Sequence, residues 1–193
     1  MTVNIILASA SPRRKALLQD IGLKFKVIPS DIDENIENKP FSYKLIENIA
    51  LEKVMDVSKK VTDPAIIIGS DTVVEINNQI LGKPKNDQDA FNMLKMLAGK
   101  THKVVSAIVV YDTETKKTIK DSVTSEVTFR EITDEEIWNY VKTGEPADKA
   151  GAYAIQGKAA IFVKNINGCY SNIVGISLFK TAEILEKFGV NIL

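Results

Sequence analysis

The stretch Val3-Asn4-Ile5-Ile6-Leu7-Ala8-Ser9-Ala10-Ser11-Pro12-Arg13-Arg14-Lys15-Ala16-Leu17-Leu18 decides how the chain is read. Residues 3–8 form an apolar, strand-like run that stops at two serines. Ser11 is a good helix N-cap, and Pro12 suits the first helical position, where its missing N–H removes nothing. A helix over 12–21 follows. This strand–turn–helix corner directs backbone N–H groups and the positive end of a helix dipole toward the turn. Ser9 and Ser11 add hydroxyls, and Arg13 and Arg14 add planar forks that match phosphate oxygens. Cations in a first turn oppose the dipole unless an anion offsets them. The corner therefore reads either as an anion site or as an ordinary capped helix with a solvated basic turn.

Outward from this corner, elements of both kinds alternate. A short strand is expected over 25–28, an acidic irregular segment over 30–40, and a helix over 41–60 with Leu45, Ile49, Val54 and Val57 apolar. A continuous apolar run over 65–68 reads as a buried strand. Gly69 opens it onto Asp71, and 72–76 continues as strand. Asn77-Asn78 is a hairpin turn into 79–81. A helix over 87–97 ends at Gly99. Two long strands, 104–111 and 119–129, flank a polar turn. Thr133 with Glu136 makes a capping box for a helix over 133–141. The stretch 142–157 is loop-rich, 159–163 reads as a strand, and 177–187 as a last helix. This order predicts a single α/β domain with a large mixed sheet.

Bulk properties narrow the function classes. The chain has 193 residues, with 25 Lys+Arg against 25 Asp+Glu. A net charge of zero offers no general field for nucleic acid or an anionic membrane, so a charged ligand needs a local cluster of cations. Cys169 is the single cysteine, which excludes an intramolecular disulfide and fits a reducing, cytoplasmic setting. There is no signal-peptide pattern and no run that approaches a membrane span. One histidine, His102, excludes a histidine-cluster zinc site. There is no G-x-x-x-x-G-K-[ST], so the chain is not a P-loop NTPase.

Further residues carry candidate chemistry. Asp71 in Ile66-Ile67-Ile68-Gly69-Ser70-Asp71-Thr72-Val73-Val74 suits orienting a water or holding a divalent metal; as a turn aspartate it would only satisfy local N–H groups. Lys83, between Gly82 and Pro84, is either a point charge for phosphate or a solvated turn lysine. Lys53 on the helix 41–60 either snorkels or projects into the same site. Among Asp31, Asp33 and Glu34, one is placed to position a metal, unless the segment is simply solvated. Gln156 closes the small-residue stretch 145–157; an amide offers both donor and acceptor to a base edge.

Together these motifs resemble the Maf family: Ser9-x-Ser11-Pro12-Arg13-Arg14, Ser70-Asp71-Thr72-Val73-Val74, Leu81-Gly82-Lys83-Pro84, the stretch 145–157, and Gly168-Cys169-Tyr170-Ser171-Asn172-Ile173-Val174-Gly175. The order and spacing agree from about residue 4 to about 187. The resemblance implies a Maf/ITPase-like fold, a long mixed β-sheet with flanking helices forming two lobes around a central cleft. It implies a nucleoside triphosphate pyrophosphatase that uses Mg²⁺ or Mn²⁺. By this resemblance Asp71 is the proton acceptor; Ser9, Arg13, Arg14, Lys53 and Lys83 fall on phosphate-binding positions, joined by Ser11 at the helix N-terminus; Glu34 falls near the metal position. Arg13, Thr72 and Gln156 mark the dTTP/UTP branch, since a second branch, acting on 7-methyl-GTP, tends to carry Trp, Gln and Glu there. A cationic methylated guanine suits an aromatic face and a carboxylate, whereas a neutral pyrimidine suits an amide and a hydroxyl. Ser70 departs from the Ala of many members. The family's association with septum formation keeps open a non-catalytic nucleotide- or nucleic-acid-binding regulator, against which zero net charge speaks. The nucleotide is the expected partner, no membrane is expected, and the assembly is left open, with a homodimer as one option.

Overall fold

The structure is a computed structural model that describes residues 3–33 and 39–193. Strand β1 (Ile5–Leu7) leads into helix α1 (Pro12–Asp20), then β2 (Lys26–Val27) and α2 (Tyr43–Ser58). The hairpin β3 (Ile66–Ile76) and β4 (Gln79–Leu81) precedes α3 (Asp87–Leu97), and the long hairpin β5 (Thr101–Asp112) and β6 (Thr118–Phe129) precedes α4 (Asp134–Val141). The chain closes with β7 (Val163–Asn167), α5 (Tyr170–Val174) and α6 (Leu178–Glu186). Among the described residues no helix is long and apolar enough to cross a membrane.

Local chemistry sets the ends of these elements. The Ser11 hydroxyl accepts from the Arg14 N–H, with Pro12 at the first position of α1. Thr133 and Glu136 complete the expected capping box on α4. Asn77 and Asn78 take φ of 53° and 64°, the left-handed pair of a two-residue hairpin turn, which asparagine tolerates.

The strands form one seven-stranded sheet, ordered β2-β1-β3-β5-β6-β7 with β4 also on β3. β1 runs parallel to β2 and β3; the other pairings are antiparallel. Alternation along β3 feeds two cores. Ile67 and Val73 pack with Ile46, Ala50, Val54 and Val57 of α2. Ile66, Ile68, Val74 and Ile76 face the opposite core with Leu17, Leu18, Leu94 and Ile184.

Two parts of the sequence reading are corrected. The strand does not open at Gly69 and Asp71 is not a turn aspartate, because β3 runs unbroken through Gly69, Ser70 and Asp71, and β5 pairs with it from Ile66 to Glu75. The glycine serves close approach instead: a Cβ there would collide with Val54 and sit 2.7 Å from the Ala50 carbonyl oxygen. The expected strand over 159–163 is a 3-10 turn, Lys158–Phe162, and strand begins only at Val163. Its apolar residues Ala159 and Phe162 are three apart and both buried, a helical rather than an alternating spacing. The short helix α5 was not anticipated.

Candidate active site

The site follows from how β3 is edged. β5 covers one edge of β3 along nearly its whole length. The other edge is shared: β1 pairs with Ile66, Ile67 and Ile68, and β4 pairs with Val74, Glu75 and Ile76. Residues 69–73 lie between them with no strand alongside. Backbone groups of even-numbered residues face this edge, as the Ala8 N–H donating to the Ile68 carbonyl (2.8 Å) and the Ile66 N–H donating to the Asn4 carbonyl (2.9 Å) establish. The same parity turns the backbone of Ser70 and Thr72 into the gap. A cleft of about 390 Å³ opens there. Because it crosses a sheet edge, side chains from both faces of β3 line it.

From the α2 face comes Asp71. Lys53, one turn along α2 from the Ala50 that presses on Gly69, donates its Nζ to Asp71 Oδ1 at 2.7 Å and to the Ser70 carbonyl at 3.4 Å. The two residues are 3% and 5% exposed. Such a charge pair persists only when each partner compensates the other. Small Gly69, two residues before Asp71 on the same face, is what lets α2 come near enough for the pair to form.

From the other face comes Thr72, bound into a polar frame around Arg14. The Arg14 guanidinium donates to the Gly175 carbonyl (Nε, 2.8 Å), the Ser9 hydroxyl (Nη1, 3.3 Å) and the Thr72 hydroxyl (Nη2, 3.0 Å). The Gly175 carbonyl also accepts from Ser70 Oγ at 3.2 Å and Thr72 Oγ1 at 3.0 Å. Gly175 holds φ +144°, a conformation open to glycine, and this turns its carbonyl toward the frame. Behind it, Ser106 bonds Thr72 and the Asn172 carbonyl, and Asn172 donates to the Val104 carbonyl and Ser125.

The cleft brings together nine of the ten site residues expected from sequence: Asp71, Lys53, Arg14, Thr72 and Ser9, with Ser11 and Arg13 at the start of α1, Lys83 after β4, and Gln156 on the far wall. The tenth, Glu34, lies outside the described residues. The reading missed Asp148, Lys149 and Tyr153, which also line the cleft. Lys149 hydrogen-bonds and ion-pairs with Asp148. That hydrogen bond, with the charges of Lys149 and Arg13 behind it, holds the Asp148 carboxyl below its usual range against the effect of partial burial. The Tyr153 hydroxyl hydrogen-bonds with His102 Nε2, 2.8 Å distant. Burial pushes the His102 imidazole down to about 4, so it is neutral at pH 7, and burial raises the Tyr153 phenol. The sole sequence signal for Lys149 was its place in the stretch 145–157.

An α/β protein with a cation-lined cleft across an open strand, and one carboxylate held at its floor by a buried lysine, is built to bind a polyanion. The comparisons with known proteins narrow this class. The family model described as Maf-like protein matches residues 4–188, and the chain belongs to the Maf family. Among curated relatives, a dTTP/UTP pyrophosphatase from Alkaliphilus metalliredigens is 50% identical over 190 residues, covering 98% of both chains. Another so named, from Clostridium botulinum, is 50% identical over 188 residues, covering 96% of this chain and 99% of its own. Among solved structures, a HAM1 protein from Coxiella burnetii matches 96% of this chain and 100% of its own with a TM-score of 0.55 at 18% identity. That likeness bears out the expected Maf/ITPase-like α/β fold.

Proposed function

We propose that this chain is a nucleoside triphosphate pyrophosphatase that converts dTTP and UTP to the monophosphate and pyrophosphate, as one two-lobed domain working in the cytoplasm. The observation that carries the reading is the convergence in one cleft of a buried carboxylate and five basic side chains on a chain half identical to relatives named for that activity.

In this reading the triphosphate lies across the start of α1. Arg13, Arg14 and Lys83 neutralise its oxygens, with Ser9 and Ser11 as hydroxyl partners. Asp71 orients a water and takes its proton as the oxygen attacks the α-phosphorus; pyrophosphate leaves. Lys53 pairs with Asp71 and fixes its direction. Arg13, Thr72 and Gln156 favour a neutral pyrimidine. Catalysis is then mainly positioning and charge neutralisation.

The donor chemistry fits a divalent cation that travels with the nucleotide. Among the described residues, Asp71 and Asp148 are the carboxylates lining the cleft, and no group of three or more His, Cys, Asp or Glu is gathered. Such a set suits Mg²⁺ or Mn²⁺ carried by the phosphates, with Glu34 as the carboxylate that the family resemblance assigns to it, rather than an all-protein cage. The ion would supply charge neutralisation at the phosphoryl oxygens.

The test is incubation of the protein with Mg²⁺ or Mn²⁺ and a nucleotide panel, with products identified. UMP or dTMP plus pyrophosphate is expected. Orthophosphate as the primary product, or tight nucleotide binding without turnover, overturns the reading; the second outcome points to a nucleotide-binding regulator.

A further inference from the structure

We propose that Glu145, acting with Tyr140, is a positioning residue that sets base selectivity by clasping the segment that carries Gln156. The proposal rests on the reading of Gln156 as the residue that meets the base. Tyr153, Ala154, Ile155 and Gln156 line the cleft, and Gln156 is the exposed residue among them. Neither Glu145 nor Tyr140 is among the lining residues.

The two reach the segment from behind and on both sides of Gln156. Tyr140, buried on α4, receives the Ala154 N–H on its hydroxyl at 3.3 Å and donates that hydroxyl to Glu145 Oε1 at 2.8 Å. Glu145 Oε2 receives the Lys158 N–H at 3.1 Å. The carboxylate thus accepts on both oxygens, a task that a glutamine side chain performs on only one. Gly157 completes the fit, because a Cβ there would collide with the Glu145 carboxylate. Upstream, the Tyr153 hydroxyl is tied to His102. Between these ties only Ile155 and Gln156 face the cleft, so the amide of Gln156 is aimed by a backbone held at Ala154 and Lys158. An amide reads a base edge only from a fixed position, so loosening the segment costs discrimination before it costs chemistry.

The experiment compares wild type with Glu145→Gln, Tyr140→Phe and Gln156→Ala. It reads kcat and KM for UTP and CTP, binding of non-hydrolysable UTP and CTP analogues, and the melting temperature. Glu145→Gln and Tyr140→Phe are expected to lower the UTP-over-CTP preference about tenfold through KM, with kcat for UTP kept within about twofold. A lowered melting temperature with an unchanged preference in both variants means the clasp is merely structural and overturns the proposal. If Gln156→Ala lowers the preference while neither clasp variant does, only the clasp fails. An unchanged preference in all three variants removes the Gln156 reading and the clasp with it. If Gln156→Ala leaves the preference intact while the clasp variants lower it, the Gln156 reading fails and the proposal that rests on it is overturned. Should Glu145→Gln fail to fold, Tyr140→Phe, which keeps the ring, decides alone.

Discussion

Replacing Lys53 by Met removes one half of the buried pair on which the site is built. With Lys53 and Asp71 at 3% and 5% exposure and 2.7 Å apart, the variant leaves an uncompensated carboxylate beneath α2. Losing one partner of a buried pair destabilises by about 3–5 kcal/mol. The pair opens onto the cleft, where water relieves part of the desolvation, so the lower end, about 3 kcal/mol, is expected. For a chain of this length that lowers the melting temperature by about 6–12 °C. The assay is a double-mutant cycle of Lys53→Met, Asp71→Asn and the double variant, with stabilities from urea titration at pH 7. Each single change should be costly, and the double variant should lose at least about 1.5 kcal/mol less than the sum. A coupling below about 0.5 kcal/mol would show that the two charges are held independently and refute the reasoning.

Other outcomes follow from the same contacts. Gly69→Ala forces a methyl against Val54 and the Ala50 carbonyl; a loss of about 1–3 kcal/mol is expected, with a fall in kcat as α2 carries Lys53 away from Asp71. Neutral His102, titrating at about 4 rather than 6.5, adds stability that is complete above pH 6.5 and is lost as pH falls from 6.5 to 4, because the unfolded chain takes up the proton first. This amounts to about 3 kcal/mol at about 1.4 kcal/mol per pH unit, so urea midpoints of His102→Gln should fall less over that window than those of wild type. Gln156→Glu exchanges an amide for a group that only accepts hydrogen bonds; kcat/KM for UTP and dTTP should drop at least about tenfold relative to purine triphosphates, and an equal drop for all nucleotides would make Gln156 structural.

Much of this was legible where a residue acts on its own neighbours. Ser11-Pro12, Thr133 with Glu136, and Asn77-Asn78 each announce a local hydrogen bond or dihedral, and each stands where expected. Gly69 misled because a glycine that opens a strand and one that admits a neighbouring helix read alike; the difference lies in Ala50 and Val54, which are distant in sequence. Residues 159–163 misled because a short apolar run suits a strand or a tight helical turn equally. The cations and Asp71 were identified by type and motif, but their mutual geometry was not. The Arg14 frame closes through Gly175, 161 residues away, and the clasp on the Gln156 segment reaches back to α4. No local pattern encodes such contacts.

The central claim, attack of water on the α-phosphorus of a pyrimidine nucleoside triphosphate, is tested most directly by running UTP hydrolysis in ¹⁸O-labelled water and weighing both products. The account predicts one ¹⁸O per turnover in UMP and none in pyrophosphate. Label in pyrophosphate, or labelled orthophosphate as the primary product, would contradict it.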